Sequence, residues 1–323
     1  MSINIYVADD EIRPQLLTTI EERLPEGWRL IDAAQGATAL LTENTDITPA
    51  LIKQAGPSLR LIARLDTGHG GVAQASVPVV NLPNTALVGV AEHALALILV
   101  LSRRLLMVAR KTRQEEWLPD RSEPLLTTQT DYTYNWIGLE EFGTLYGKKA
   151  GLVGLGVIGR AVAARLNAFG VRVFYTKRQR LPPQEEARLK VQWRDLDDLL
   201  RESDFVSLHL RFQEGPGGND KQFGTREFEL MKPTAFFINT ARGRLVDEEA
   251  LVSAIKSGQI AGAGLDVFRY EPLPPEHPLL ALAGDNVILT PHVAGAPVTE
   301  AWQTIAEELI AHTEAALAAA GSQ

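Results

Sequence analysis

The stretch that decides the fold is KAGLVGLGVIGR, residues 149–160. An apolar run breaks into three spaced glycines and then becomes a helical pattern, which predicts a strand, a tight turn and a helix. Gly154 permits a sharp exit from the strand, Gly156 leaves the backbone open to a phosphate, and Gly159 lets the helix pack closely on the sheet. Free N–H groups at the start of such a helix bind a pyrophosphate. Dinucleotide contacts are therefore expected from the whole turn, namely Gly154, Leu155, Gly156, Val157, Ile158 and Gly159.

The residues around this turn strengthen the interpretation. A G-x-G-x-x-G pattern alone is a weak signal, because glycine-rich turns are common and methyltransferases use similar ones. Here the helix-forming run Ala161–Leu166 follows the glycines, and a second apolar run, Val171–Tyr175, comes at the distance of about 30 residues that is typical of a βαβ unit. The pattern therefore favours a dinucleotide-binding unit.

The composition indicates a globular chain of about two domains, since it has 323 residues of which 45% are hydrophobic. The net charge of −8, without a long basic run, argues against nucleic acid as a partner. The absence of cysteine excludes disulfides and thiolate zinc sites and fits a reducing cytoplasm. Neither a secretory signal nor an apolar segment long enough to span a bilayer is recognisable. We expect a cytoplasmic protein with no membrane partner and no metal.

The first part of the chain alternates short apolar runs with helical stretches, which predicts a small parallel α/β sheet. Within it, the loop Asp66–Gly71 carries several backbone N–H groups that suit a small carboxylate, although an ordinary glycine-rich connection is the alternative. The candidate substrate-binding residues in this loop are Thr67, Gly68 and His69.

The middle of the chain contains one predicted long helix and one long irregular segment. Val88–Lys111 has a dense apolar face that includes Leu97, Leu101 and Leu105, so we expect a single buried helix that links two domains. Residues 112–147 are rich in aromatic side chains and have little periodicity. A segment of this length is either an arm between subunits or a surface excursion. We expect a homodimer in which part of this segment crosses to the partner.

The βα alternation resumes at residue 150 and predicts a doubly wound sheet. Asp247 is a suitable N-cap for one of its helices, and the helix predicted over Pro297–Ala320 should return to the first domain. The fold class is thus α/β, with two doubly wound, Rossmann-like parallel sheets and the active site in the cleft between them. The expected domains are residues 1–100 plus 295–323, for the substrate, and 101–294, for the dinucleotide. The six predicted strands of the second domain are Gly151–Val153, Val171–Tyr175, Phe205–Leu210, Ala235–Asn239, Gly264–Val267 and Val287–Thr290.

Three polar side chains follow consecutive strands of this second domain: Arg242, Glu271 and His292. Ligands bind outside the carboxyl ends of the strands in such sheets, so all three are candidate catalytic residues. Each residue taken singly also has an ordinary explanation as a surface cation, a loop carboxylate or a turn histidine. Arginine can bind a carboxylate and polarise a carbonyl, histidine can transfer a proton near neutral pH, and a neighbouring carboxylate orients the ring. Hydride transfer to a 2-keto acid requires these groups.

From Gly151 to Gly295 the chain resembles the D-isomer-specific 2-hydroxyacid dehydrogenases, and in particular the glyoxylate/hydroxypyruvate reductases among them. Several motifs together carry this resemblance, and most of the chain is covered. The matching segments are GLVGLGVIG (151–159), LMKP (230–233), FINTARGRLVDEEAL (237–251), IAGAGLDVF (260–268) and VILTPHVAG (287–295).

The resemblance implies a role for each matching residue. In that family the arginine of Thr-Ala-Arg-Gly binds substrate, the histidine of Pro-His is the acid/base, and the glutamate before proline pairs with it. These positions are Arg242, His292 and Glu271 in this chain. The resemblance also implies that Asp266 faces the nicotinamide carboxamide. Further cofactor contacts are expected from Thr240 and Ala241.

Three segments depart from the family pattern. Gly70-Gly71 stands where Asp-Asn is usual, Arg211 replaces a proline, and the loop that follows, Gln213–Asp220, is longer than usual. Residues 118–136 resemble an insertion near the hinge between the domains. Gly70-Gly71 bears on the substrate contacts expected from its loop, and none of these departures touches Arg242, Glu271 or His292.

The end of the second strand of the dinucleotide unit predicts the cofactor. An NAD-preferring fold has an acidic residue there, which would repel a 2′-phosphate. This chain instead continues as TKRQR, residues 176–180, with a hydroxyl and three cations. Thr176, Lys177 and Arg178 are therefore predicted to bind the 2′-phosphate of NADP, with NAD possible and a solvated basic turn as the alternative.

Two other functions are alternatives to the reduction of a small 2-keto acid. The same fold serves NAD(P)-sensing proteins similar to corepressors, and fold alone cannot separate these from enzymes. A metal hydrolase is a further alternative, but no paired ligand spacing supports it. The complete set of Arg242, Glu271 and His292 favours the enzyme.

Overall fold

The structure is a computed structural model, and it describes residues 3–9, 14–43, 45–65, 72, 75–82, 85–113, 126–139, 142–295 and 299–321. The chain divides into two compact units, one formed by residues 1–89 and 295–323 and the other by residues 90–294. Each unit is built around a parallel sheet. The predicted α/β class with two parallel sheets is confirmed.

Among its described residues, the first unit contains five strands and three α-helices. Its strands are β1 (Ile3–Val7), β2 (Trp28–Ile31), β3 (Ala39–Thr42), β4 (Leu61–Leu65) and β5 (Val79–Leu82). Its helices are α1 (Pro14–Arg23), α2 (Pro49–Ala55) and, at the far end of the chain, α11 (Thr299–Gly321).

The sheet of the first unit has the order β2-β1-β3-β4-β5, and all its strand pairs are parallel. Buried side chains of α11, among them Trp302, Ile305 and Leu309, share a hydrophobic cluster with Ile5 of β1 and Leu16 of α1. Residues from both ends of the chain therefore build one core.

The second unit begins within α3 and contains a larger sheet. Its strands are β6 (Lys149–Val153), β7 (Arg172–Thr176), β8 (Val191–Trp193), β9 (Phe205–Leu208), β10 (Phe236–Asn239), β11 (Gly262–Leu265) and β12 (Val287–Leu289). Its helices are α3 (Thr85–Arg103), α4 (Leu105–Arg113), α5 (Val157–Ala168), α6 (Pro183–Leu189), α7 (Leu196–Glu202), α8 (Thr225–Leu230), α9 (Glu248–Lys256) and α10 (Pro278–Leu282).

The order of this sheet is β12-β11-β10-β9-β6-β7-β8, again with parallel pairs throughout. Strand order reverses between β6 and β9, and in such sheets ligands bind at the carboxyl ends of the strands beside this reversal. Side chains of α7, α8 and α9 belong to one hydrophobic cluster and those of α3 and α5 to another, which gives the sheet a helical layer on each face. The sheet is doubly wound, as predicted.

The sheet has seven strands among the described residues, so the prediction of six strands was wrong. The missed strand is β8, which pairs with β7 at the edge. It is three residues long, and Gln192 at its centre interrupts the apolar pattern. Such a segment gives no periodic signal that separates a strand from a loop.

The predicted single helix over Val88–Lys111 is divided into α3 and α4. Arg104 lies between them with φ of 49°, in the left-handed region, and Leu105 beyond it is 45% exposed rather than buried. At the end of α3 the carbonyl of Ser102 accepts a hydrogen bond of 2.9 Å from the N–H of Gly143. A tertiary contact therefore accompanies the break, and no proline or glycine marks it in the sequence.

The division between the two compact units falls between Gly89 and Val90, and the domain boundary at residue 100 stays a prediction. Ala91, Ala94 and Leu97 are buried in the core of the second unit, against the same cluster as α5. Nearly all of α3 therefore packs with the larger sheet. No helix of the described residues is long and apolar enough to cross a membrane.

Candidate active site

The glycine turn after β6 has the geometry that its sequence predicts. Gly154 has φ of +98°, and a Cβ there would lie 2.4 Å from the carbonyl oxygen of His209. A Cβ on Gly159 would lie 2.5 Å from the carbonyl oxygen of Gly154, so only glycine allows α5 to start so close to β6. Over Gly156 there is open space. The turn thus combines two tight contacts with one open position.

The start of α5 offers backbone N–H groups rather than side chains to a ligand. Gly156 is the N-cap residue and supplies no side-chain cap, so the N–H groups of the first turn keep their capacity to bind an anion. The side chain of Leu155 is buried in the core, and that of Ile158 is partly buried against the core. The side chain of Val157, by contrast, is 52% exposed. Among the predicted residues of the turn, Leu155 and Ile158 can therefore contribute through their backbone only.

The basic segment after β7 contains two different kinds of cation. Arg178 is exposed and has no hydrogen bond or ion pair with another described residue, while Lys177 is half-buried. The pKa of the Glu185 carboxyl is lowered, chiefly by a hydrogen bond from Arg160 and to a smaller extent by the charge of Lys177. Lys177 and Arg178 are thus the two cations of this segment that are not held by a hydrogen-bonded carboxylate in the described chain.

Arg180, the third cation of this segment, forms hydrogen bonds within the protein. Its guanidinium donates two hydrogen bonds to Glu186, of 2.9 and 2.8 Å, and lies over the ring of Trp193 at 5.7 Å. Glu186 also accepts a hydrogen bond from the hydroxyl of Tyr175, 2.8 Å long. The hydrogen bonds from Arg180 are the main cause that lowers the pKa of Glu186. Arg180 thus links α6 to the edge strand β8 through Glu186 and Trp193.

The turn that carries Arg242 is held by hydrogen bonds with the side chain of Asn239. The buried amide of Asn239, at the end of β10, accepts a hydrogen bond from Ala241 N and donates one to the carbonyl of Arg242, both 3.0 Å long. The Arg242 guanidinium donates to the carbonyl of Ala241 at 2.6 Å. Burial lowers the pKa of Arg242 from its usual value, while the charge of Glu271 acts in the opposite direction. The side chain remains a cation, because even a lowered arginine pKa stays far above neutrality.

Gly243 is a functional position that the sequence analysis missed. A Cβ there would lie 1.9 Å from the carbonyl carbon of Phe268 and 2.1 Å from its oxygen, so the two backbones are in direct contact. This contact brings the turn that carries Arg242 against the loop that carries Glu271. The glycine in Thr-Ala-Arg-Gly was a visible signal, since a residue without a side chain permits a close backbone approach.

Glu271 and His292 form a hydrogen-bonded pair. Oε2 of Glu271 lies 2.6 Å from Nδ1 of His292, and Oε1 accepts a hydrogen bond of 2.9 Å from the N–H of Phe268. The carboxylate is thus fixed on one side by the backbone and on the other by the ring. With Nδ1 engaged, Nε2 is the ring nitrogen that can exchange a proton with a ligand.

The structure brings all three predicted catalytic residues together around one cavity. Its volume is about 210 Å³, and it belongs entirely to the second unit. The lining residues are Phe212, Arg242, Gly243, Arg244, Phe268, Arg269, Glu271 and His292. A cavity that presents three arginines, an acid/base pair and two aromatic rings can hold a small anionic molecule beside a proton donor.

Asp266 is a buried carboxylate beside the turn that carries His292. The resemblance implied a carboxylate that faces the nicotinamide, but Asp266 has no exposed surface, and its oxygens accept hydrogen bonds from Thr290, Val293 and Ala294. In this structure the carboxylate holds the turn around His292. Its contact with a nicotinamide stays a prediction.

Two polar atoms just beyond the ends of β9 and β10 are buried and have no hydrogen-bond partner among the described residues: Nε2 of His209 and Oγ1 of Thr240. Buried polar atoms are rarely left unpaired unless a ligand or water completes them. Burial lowers the pKa of His209 to about 4, so its ring is neutral at neutral pH. Together with the open space over Gly156, these atoms fit a dinucleotide at the carboxyl ends of β6, β9 and β10. Thr240 and Ala241 thus stay candidate cofactor contacts, and Thr176 ends the neighbouring strand β7.

Comparison with known proteins decides the family. Residues 95–294 match the model of the NAD binding domain of D-isomer specific 2-hydroxyacid dehydrogenases. The chain belongs to this family. It is an NAD(P)-dependent oxidoreductase, and the match covers the glycine turn, the cavity and the pair formed by Glu271 and His292.

Named relatives of this dehydrogenase are similar along most of their length. The glyoxylate reductase of Korarchaeum cryptofilum is 35% identical over 299 residues, which cover 90% of this chain and 84% of the relative. Glyoxylate/hydroxypyruvate reductase B of Escherichia fergusonii is 36% identical over 272 residues, covering 82% and 77% of the two chains. A solved structure, the NADPH-dependent glyoxylate/hydroxypyruvate reductase of Sinorhizobium meliloti in complex with citrate, has 29% identity and a TM-score of 0.63, and the match covers 95% of this chain and 92% of the other.

Some predicted features of the dehydrogenase lie outside the described residues. Thr67, Gly68 and His69, the candidate substrate loop, are among them, as is Gly70-Gly71. Within the part of the chain that the structure describes, no group of three His, Cys, Asp or Glu side chains could hold a metal ion. The relatives named above are all reductases, and none bears the name of a nucleotide sensor.

Proposed function

We propose that this dehydrogenase reduces a small 2-keto acid, such as glyoxylate or hydroxypyruvate, with NADPH as the preferred reductant. The observation that carries the proposal is the placement of Arg242 and the Glu271–His292 pair around one small cavity. The names of the relatives, which are glyoxylate and hydroxypyruvate reductases, support the same substrates. In the reverse direction the reaction oxidises the corresponding 2-hydroxy acid.

The residues of the cavity divide the chemistry between them. When bound, the nicotinamide supplies the hydride that the carbonyl carbon receives. Arg242 binds the substrate carboxylate and polarises the carbonyl, because a guanidinium can donate two parallel hydrogen bonds. Nε2 of His292 donates the proton that the carbonyl oxygen takes up, and Glu271 orients the ring and stabilises its positive charge. The product leaves with one hydride and one proton added, and His292 regains a proton from solvent.

The preference for NADPH rests on the end of β7. No acidic residue lies in TKRQR, residues 176–180, and Arg178 is exposed with no partner in the described chain. Its planar guanidinium suits a phosphate, with Thr176 as a hydroxyl donor and Lys177 as a point charge. Glu185, which could repel a phosphate, is neutralised by its ion pair with Arg160.

A homodimer is the assembly that we propose. The described residues 126–139 and 142–146 include exposed large apolar side chains, among them Tyr132 at 63%, Tyr134 at 70% and Tyr146 at 79%. Aromatic side chains are enriched in protein interfaces, and an exposed cluster of them indicates an interaction surface. Light scattering at micromolar concentration should give twice the mass of 35.3 kDa. A monomer under these conditions would contradict the dimer.

The proposed activity has a direct test. Purified protein is mixed with NADPH or NADH and with a panel of 2-keto acids that differ in side chain, and the loss of absorbance at the reduced nicotinamide band is followed. We expect turnover of the small 2-keto acids and a higher kcat/KM with NADPH. Tight NADPH binding without turnover of any 2-keto acid would instead favour a nucleotide sensor. We also propose a cytoplasmic location, which cell fractionation tests.

A further inference from the structure

The turn that carries His292 is held by one buried carboxylate. His292 has φ of 54°, a conformation that side-chain-bearing residues rarely adopt, and its N–H donates to the carbonyl of Asp266 at 2.8 Å. The carboxylate of Asp266 accepts hydrogen bonds from the N–H groups of the next two residues, at 3.0 Å from Val293 and 2.8 Å from Ala294. Because backbone N–H groups can only donate, both oxygens of Asp266 act here as acceptors.

A third donor to this carboxylate is the hydroxyl of Thr290, which lies 2.6 Å from Oδ1 of Asp266. The same hydroxyl oxygen lies 2.9 Å from Nε2 of His93, on α3. A hydroxyl has one hydrogen, so if Thr290 donates it to Asp266, it must accept from His93. The geometry therefore assigns a hydrogen to Nε2 of His93.

His93 determines which acceptor the threonine hydroxyl uses. The carbonyl of Leu265 is a competing acceptor for this hydroxyl, at 3.5 Å. A donor at Nε2 of His93 occupies a lone pair of Oγ1 and directs its hydrogen towards Asp266. Without that donor the hydroxyl can turn to Leu265, and the buried carboxylate then loses one of its partners, which is costly for a charged group without solvent.

We propose that His93 is a positioning residue for His292, acting through Thr290 and Asp266. His93 does not touch the Glu271–His292 pair; it keeps the turn between Thr290 and Ala294 in the conformation that presents the ring to the cavity. The neighbouring Glu92 is engaged elsewhere, in an ion pair of 3.2 Å with Arg165. The inference rests on the proposed role of His292 as the acid/base.

Three substitutions at position 93 separate hydrogen bonding from packing. The amide nitrogen of glutamine reaches the place of Nε2, that of asparagine reaches only the place of Nδ1, and leucine donates nothing. We expect H93L and H93N to lower kcat roughly tenfold, as small displacements of a catalytic group do, while H93Q stays within twofold of the parent. The dissociation constant of NADPH, measured by fluorescence, should be unchanged in all three. The matched control is H312L, which removes a histidine paired with Glu308 on α11.

A double-mutant cycle tests the route through Thr290. T290V removes the hydroxyl, and T290S keeps it. If His93 acts through this hydroxyl, H93L in the T290V background costs no further activity, so the two losses are not additive. Additive losses would show that His93 acts by another route and would overturn the proposal.

The environment of the His292 ring can also be measured by NMR, without any catalysis. The chain has 6 histidines, so selective ¹³C labelling gives a short set of ring signals that single substitutions assign. We expect the His292 ring signals to shift in H93L and T290V and to keep their parent positions in H93Q and T290S. If the parent reduces no 2-keto acid, the proposed function fails while these signals still decide the inference. Unmoved His292 signals in both H93L and T290V, or a H93Q variant that behaves like H93L, would overturn it.

Discussion

Glu271 holds the Nδ1 side of the His292 ring at 2.6 Å, and its other oxygen is held by the backbone of Phe268. The pair is therefore oriented before any ligand binds. A preorganised acid/base needs no reorganisation when the substrate carbonyl arrives, which is the condition under which a single proton donor gives its full rate effect.

Replacement of His292 by alanine should lower kcat by roughly 10²–10⁴-fold, the range for general acid–base catalysis. Cofactor affinity should change little, because the imidazole serves the carbonyl oxygen. Steady-state kinetics and NADPH titration check both statements. H312A is the control and should match the parent. A H292A variant within threefold of the parent would remove His292 from the mechanism.

Arg242→Lys should lower kcat/KM for the 2-keto acid by roughly tenfold or more, since a charged hydrogen bond contributes about 1.5–3 kcal/mol and lysine cannot donate two parallel ones. The control Arg188→Lys makes the same substitution on the protein surface, away from the cavity, and should leave kcat/KM unchanged. Unchanged kinetics in R242K would direct attention to Arg244, which lines the same cavity.

Arg178→Ala should reduce the preference for NADPH over NADH by roughly tenfold, because one charge-assisted contact to a phosphate contributes about 1.5–3 kcal/mol. Arg180→Ala is the matched comparison two residues away. It should lower the melting temperature through loss of the contacts with Glu186 and Trp193 and leave the cofactor ratio unchanged. A parent that prefers NADH, or a double R178A/K177A variant with an unaltered ratio, would contradict the assignment.

Gly243→Ala should impair catalysis without removing any reacting group. The new methyl would meet the carbonyl carbon of Phe268 at 1.9 Å, so the turn with Arg242 must move away from the loop with Glu271. A displacement of about 1 Å can cost roughly 10²-fold in kcat. Gly284→Ala, whose Cβ has its nearest neighbour at 3.9 Å, is the control for the loss of a glycine. Parent-like kcat in G243A would show that the two loops tolerate separation.

The buried ring of His209 should make the folded protein less stable in mild acid. Its pKa is about 4 in the folded protein against an ordinary value of 6.5, so between these two values the unfolded chain binds a proton that the folded chain does not. The free energy of unfolding therefore falls as the pH is lowered through this window, by at most about 3 kcal/mol. Denaturant unfolding at several pH values measures this slope. In His209→Asn the free energy of unfolding should change less with pH. An equal change in the variant would assign the effect to other titratable groups.

The glycine turn and the cap of α9 could be predicted because their causes are local. Gly154 needs its left-handed φ at that point of the chain, and Asp247 accepts from the N–H of Glu249 two residues on. The arrangement of Arg242, Glu271 and His292 followed from a general property of parallel sheets, that strand ends meet at one edge. In each case a short stretch of sequence contained the whole physical reason.

The features that the sequence did not reveal depend on distant partners. The role of Arg180 requires Glu186 on α6, a short helix that was not predicted, and the break at Arg104 accompanies a contact between Ser102 and Gly143. The hydrogen bonds that join His93 to Thr290 span 197 positions of the chain. No periodicity or motif reports such pairs, because each depends on where the fold places two separate elements.

The packing of α11 on the first sheet also sets an order for folding during synthesis. Trp302, Ile305 and Leu309 complete the core around Ile5 and Leu16, yet the ribosome makes them after the whole of residues 90–294. The larger sheet is formed by one continuous stretch of the nascent chain and can fold once that stretch has been made. The smaller sheet keeps an exposed apolar face until α11 is translated. A chaperone that binds exposed apolar segments should therefore hold the N-terminal strands during most of translation, and ribosome-bound chains that stop before Trp302 should be cleaved by protease within residues 1–89 and resist it within 90–294.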